Sequence, residues 1–231
     1  MHTDRRLAAL AGALYLVTHV TSVGAVVLYG PMVTDDAWLA GTGSGTPQLV
    51  GALLDVALAV AALGTGLFLF PLLRRHARVG ALSYVALRGL EAGVILIGAT
   101  AVVALVALRD AGEAAGAAGL ALRELYSGTF LVGAGLVVGV HTVVLASVLW
   151  RLRAVPRWIP AVGIAGAVLV TASNLTVMFG LQGEITTARS LAAVPIFVWE
   201  ISLAITLLAR GLRLPAEAPA ASSPRATVAS S

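Results

Sequence analysis

The residues of this chain best suited to acid/base chemistry sit where charge is least welcome. His19, Asp55, Glu91 and Glu200 each lie inside a long apolar run, as do Arg88, His141 and Asn174. An ion in such surroundings must find a partner or stay neutral, because an unpaired buried charge is strongly destabilising. In SYVALRGLEAGVILIG, Arg88 and Glu91 stand three residues apart on one helical face and neutralise each other. Glu200 has no cation on its own helix until Arg210, ten residues on. A carboxylate beside a cation and a carboxylic acid without one form the split expected of a base and an acid in one site. Glu200 is therefore the candidate acid, Glu91 or Asp55 the candidate base, and His19 the fourth catalytic candidate. Tyr15 and Ser22 share the face of His19 at i−4 and i+3, and Phe197 and Trp199 lie next to Glu200. With Arg88, His141 and Asn174 these make up the candidate substrate-binding set.

The elements that position these residues follow from composition. The chain has 231 residues, 59% hydrophobic and 11% charged, with a mean hydropathy of +0.96. A soluble domain carries roughly 25% charged residues, so the composition is that of a membrane protein. Six apolar segments reach the length of about 20 residues that a bilayer requires: Leu7–Tyr29, Gln48–Leu73, Gly80–Leu108, Leu125–Trp150, Trp158–Leu181 and Leu191–Ala209. The fold class is thus an all-α bundle of six transmembrane helices over residues 1–213. The tail from Leu214, LPAEAPAASSPRATVASS, is rich in Ala, Pro and Ser and reads as a disordered cytoplasmic segment. The first span is too long for a signal peptide and lacks a convincing cleavage site.

All 15 basic residues are arginines, ten of them beside one set of span ends and three beside the other: Arg109, Arg123 and Arg189. The positive-inside rule then puts both termini in the cytoplasm of a bacterial inner membrane. The high isoelectric point reflects this topology and not a nucleic-acid partner. The chain has no cysteine, and no two metal ligands share a helix at i,i+4, so no cofactor and no metal are expected. Small residues at helix-packing spacing, Gly89–Gly93 and Gly135–Gly139, mark close interhelical contacts.

A rise of 1.5 Å per residue places His19 about 18 Å up its span, Asp55 about 10 Å down, Glu91 about 16 Å up, Asn174 about 24 Å up and Glu200 about 14 Å down. At these depths all five can share one layer. The order His19, Asp55, Glu91 against His141, Asn174, Glu200 hints at an inverted repeat, a plan found in transporters, although the spacings agree only loosely.

The opening RRLAALAGALYLVTHVTS, the third-span RGLEAG and the sixth-span FVWEISLAITLLARGL resemble the bacterial membrane proteins grouped as domain of unknown function 4386. The resemblance runs from Arg5 to Leu212. It implies a six-helix integral membrane protein of undefined activity, with Arg88, Glu91 and Glu200 as motif positions that carry no assigned role. Read together, the residues suit an intramembrane acid/base enzyme on a lipophilic, isoprenoid-like substrate, such as a membrane terpene cyclase. The alternatives are a proton-coupled small-molecule carrier and a membrane protein with a purely structural polar core. The partners in any case are the lipid bilayer and, for the enzyme, a lipophilic substrate drawn from it.

Overall fold

A computed structural model describes residues 2–110, 116–183 and 186–215. Glu113, Glu184 and the tail residues 216–231 lie outside the described residues. The described chain is all-helical: α1 (His2–Thr34), α2 (Asp36–Leu39), α3 (Thr46–Leu73), α4 (Arg78–Asp110), α5 (Gly116–Phe130), a π-helical stretch (Leu131–Val137), α6 (Val138–Leu152), α7 (Trp158–Met178) and α8 (Thr187–Ala209). Six helices are long and apolar enough to cross a membrane, the fourth being α5, the π stretch and α6 taken as one. That fourth helix begins at Gly116, nine residues before the sequence signal at Leu125.

The spans form a closed ring. Each packs on its neighbours in sequence, and α8 returns to pack on α1. The seam is held by Arg5, whose guanidinium donates to the carbonyls of Leu207 at 2.9 Å and of Leu208 and Ala209 at 2.8 Å. The last carbonyls of a helix have no partner within it, and a cation there also answers the negative end of the helix dipole. Close approach along the seam needs Gly12, because a Cβ there would lie 2.7 Å from the Ala204 carbonyl oxygen.

The arginine-rich connections gather at the same end. The His76 ring meets the Pro215 carbonyl at 3.0 Å, and the Arg213 backbone N–H donates to Ala154 at 2.9 Å. The segment after α8 thus crosses beneath the α3–α4 and α6–α7 turns, and Leu214 packs against the core there. At the far end the loop after α1 forms a lid. Asp35 caps α2 by accepting from the Ala37 N–H at 2.8 Å, and Trp38 is buried beneath the Arg109 guanidinium, 4.5 Å from its ring centroid. Trp38 therefore lies under the lid, shielded by Arg109.

Proline and π-helix modulate two spans. Pro195 within α8 cannot donate to the Leu191 carbonyl, one turn above Ile196 and Trp199. In the π stretch the Val138 N–H reaches back to Gly133, a widening that recurs at functional sites. Gly135 sits against Asn174 of α7, and Gly139 against Thr171 and the Ala167 carbonyl. The Gly89–Gly93 pair has no such role: Gly93 faces open space, and Gly89 only grazes Leu63.

Candidate functional site

The polar side chains are supplied by the faces that the ring turns inward. On α4, Tyr84, Arg88 and Glu91 make one stripe at i, i+4 and i+7. Arg88 is 2% exposed, and its Nη1 donates to Glu91 Oε2 at 2.7 Å. His141, from α6, brings Nε2 to 3.1 Å from both of these atoms. The Arg88 Nε–H donates to the Ala62 carbonyl on α3 at 3.1 Å. The Arg88 and Glu91 charges cancel, so the pair can lie in a water-poor interior. In either tautomer His141 Nδ1 is left without a hydrogen-bond partner.

Beside this cluster runs a chain of hydroxyls. Thr65 Oγ1 donates to the Ala62 carbonyl at 2.7 Å, so it can only accept from the Tyr84 hydroxyl at 3.4 Å. Tyr84, having given its proton to Thr65, accepts from the Tyr15 hydroxyl on α1. The Ala62 carbonyl is thus the common acceptor for the hydroxyl chain and the guanidinium. The Arg88 guanidinium also lies 5.8 Å from the Tyr15 ring centroid.

The second arrangement begins on the same tyrosine. His19 Nδ1 lies 2.8 Å from the Tyr15 carbonyl oxygen, which can only accept. The proton must therefore sit on Nδ1, which turns Nε2 toward Glu200 Oε2 at 3.5 Å. Nε2 and the carboxyl group can then exchange one further proton. Held by Glu200 it gives a neutral acid and imidazole; held by His19 it gives an ion pair. Glu200 thus finds on α1 the partner that its own helix lacks. It also lies within electrostatic range of Tyr15, Tyr84 and Arg88. The Phe197 ring stands edge-on to His19 at 5.0 Å, and Trp199 is buried against Gly163.

Two candidates lie elsewhere. Asp55 accepts from the Tyr29 hydroxyl at 2.8 Å, and Tyr29 meets the Tyr126 ring of α5 at 4.8 Å. Tyr29 is ten residues beyond His19 on α1, about 15 Å further along the axis, so Asp55 is not brought to Glu200 or Glu91. Asn174 donates to the Val170 carbonyl at 2.7 Å and accepts from Arg189 at 3.0 Å, tying α7 to the start of α8. Ser22 is half-buried and hydrogen-bonds to none of the described residues of the site. Of the aromatic lining, Tyr15 lies against Arg88, Trp199 against Gly163 and Phe197 against His19, with Phe197 39% exposed. Among the described residues no group of three His, Asp or Glu side chains is placed to hold a metal ion.

A family model for a domain of unknown function (DUF4386) matches residues 10–211, all but the ends of the described chain. The chain belongs to the DUF4386 family. No curated protein matches it, and no solved structure does. The DUF4386 match takes in both buried arrangements, from Tyr15 to Glu200. Within this DUF4386 chain, sequence reading missed Tyr84 and Thr65. The signal for Tyr84 was its place one turn before Arg88 on the same stripe. Thr65, a hydroxyl deep in an apolar helix, gave none.

Proposed function

We propose that this membrane protein holds an intramembrane acid/base site at His19 and Glu200 that acts on a lipophilic substrate. The observation that carries the reading is the approach of His19 to Glu200 across α1 and α8 at 3.5 Å. The Tyr15 carbonyl fixes the His19 tautomer, so His19 Nε2 and Glu200 form an acid and a base that exchange roles by moving one proton. Glu200 gives its proton to an alkene carbon, whose π electrons form the new C–H bond. The resulting cation loses a proton from a neighbouring carbon to the basic partner, and the pair returns to its starting state. No co-reactant is consumed. Isomerisation or cyclisation of an isoprenoid-like chain is the chemistry that fits, with the Phe197 face available to stabilise positive charge. Arg88, Glu91 and His141 serve as a fixed, neutral backing that holds Tyr15 and Tyr84 in place. The arginine-rich end, which holds Arg5 and Arg213, is assigned to the cytoplasm.

The test is deuterium exchange. Purified protein is returned to vesicles of the host's own lipid extract in D2O, and carbon-bound deuterium in the lipids is read by mass spectrometry. The wild-type chain labels one lipid class. Glu200→Gln and His19→Gln lower that labelling about 100-fold or more, the scale of a lost general acid or base. Full labelling by Glu200→Gln, or none by the wild type above protein-free vesicles, would overturn the reading.

A further inference from the structure

The outer face of α6 and α7 carries two hollows that the inner polar cluster does not use. The larger, of about 490 Å³, is walled by Val140, Val143, Val168 and Ala172 over a floor of Gly139 and Ala167. Gly139 lets the helices close beneath it, since a Cβ there would stand 3.3 Å from the Ala167 carbonyl oxygen. The smaller, of about 260 Å³, is lined by Ser147, Trp150 and Arg151 of α6 and by Ala161 and Ile164 of α7. Ser147 follows Val144 of the first hollow by three residues, and Ile164 precedes Val168 by four. Both hollows therefore lie on one stripe of each helix and form a single open groove.

The two ends of the groove differ. Trp150 and Trp158 are exposed at its lower end, and tryptophans gather where headgroups meet hydrocarbon. The Arg157 guanidinium lies 5.4 Å from the Trp150 ring centroid, and Arg151 lines the hollow itself. Arg153 joins them at the turn in the left-handed conformation that ends α6, φ 52°, a position usually given to glycine. All three arginines are exposed, and none pairs with a carboxylate among the described residues. Above Arg151 no charged residue lines the groove. Gly139 lies twelve residues before Arg151, about 18 Å along the axis, and the hydrocarbon of one leaflet is about 15 Å deep. The groove thus runs from the headgroup level to the membrane midplane, cationic at its foot and apolar above. A second copy inserted the same way up would bring its own arginines to that level and meet like charge.

We infer that the α6–α7 groove holds one anionic phospholipid of the arginine-side leaflet. Its phosphate lies against Arg151 and Arg157, and one acyl chain fills the hollow above. Basic pockets between spans on the cytoplasmic side suit such headgroups. The site is separate from His19 and Glu200, which α1 and α8 supply, and needs nothing from their chemistry.

Native mass spectrometry of the full chain in mild detergent tests it. The protein is titrated with phosphatidylglycerol and with phosphatidylcholine of the same acyl chains, and the bound lipid is challenged with inorganic phosphate. One phosphatidylglycerol binds per chain, about tenfold or more tighter than phosphatidylcholine. Arg151→Gln/Arg157→Gln weakens it about 30-fold, the scale of two arginines at a membrane surface. Arg74→Gln/Arg78→Gln makes the same charge change on the α3–α4 turn and leaves binding within about twofold. Ala172→Phe keeps the arginines, blocks the upper hollow and weakens binding about tenfold or more. Helical circular dichroism checks that each variant is folded. Equal binding of the two lipids, or equal loss in both arginine pairs, overturns the inference in favour of diffuse surface charge. Full binding by Ala172→Phe, or displacement by inorganic phosphate, removes the acyl chain from the groove. A lipid-free dimer that Ala172→Phe splits gives the groove to a second copy and overturns it equally.

Discussion

Replacing Arg88 by Met tests how the buried cluster holds its charge. The substitution keeps an unbranched apolar stem and removes the side chain's three polar contacts, to Glu91 at 2.7 Å and to His141 and the Ala62 carbonyl at 3.1 Å. Glu91 is then left in the interior with His141 alone, and breaking a buried pair in this way costs about 3–5 kcal/mol. Glu91→Met leaves the guanidinium uncompensated, with a similar cost of about 3–5 kcal/mol. The double variant Arg88→Met/Glu91→Met buries no charge. It strips His141 Nε2 of both partners while Nδ1 already has none, so the remaining penalty is that of an unsatisfied buried imidazole, about 1–3 kcal/mol. The two singles together then exceed the double by at least about 3 kcal/mol, far beyond the few tenths of non-coupled sites. Reversible unfolding of the four proteins in mixed micelles, followed by helical circular dichroism, supplies the cycle. Additive singles, with the double the least stable of all, would refute the view of Arg88, Glu91 and His141 as one charge-balanced unit.

Other outcomes follow from the same geometry. Asp55→Asn keeps an acceptor for the Tyr29 hydroxyl and lies about 15 Å along α1 from the pair; lipid deuterium exchange stays within about twofold of wild type, against the 100-fold fall for Glu200→Gln. Tyr84→Phe strands the Tyr15 hydroxyl at the head of the chain, with a stability loss of about 1–3 kcal/mol in the same unfolding assay, whereas Tyr15→Phe removes only a donor and costs about 1 kcal/mol. Gly163→Ala drives a methyl group to 2.7 Å from the Trp199 ring; overpacking of this kind costs about 1–3 kcal/mol and shows as a lowered melting temperature. Arg5→Gln uncaps the last α8 carbonyls, and amide exchange of residues 207–211 accelerates while that of α3 stays unchanged.

The six spans were legible because apolar length is a property of the chain itself and needs no neighbour to be read. The Arg88–Glu91 pair was legible because both partners share one helix. His19 answering Glu200 was expected only as a resident of one layer, and His141 completing the Arg88–Glu91 pair only as a member of the candidate binding set. Depth was the wrong guide for Asp55. Rise per residue gives height along an axis, but not which way a side chain points or how far one helix slides against the next, and Tyr29 claimed Asp55 for the far end. Tyr84 and Thr65 escaped because a hydroxyl in lipid is unremarkable until its partner is known. The π stretch escaped because a shift from i−4 to i−5 bonding within LVGAGLV has no compositional mark.

Because α8 closes on α1, the acid/base pair joins residues 181 positions apart in the chain. Five spans must be made before the sixth can bring Glu200 to His19. At a synthesis rate of about 5–20 residues per second, His19 waits about 10–40 s in the membrane for its partner. Until then the imidazole faces an open edge, and the chain cannot move a proton between the two groups. The His19–Glu200 pair is therefore missing from every truncated or half-made product and exists only when the whole ring has assembled.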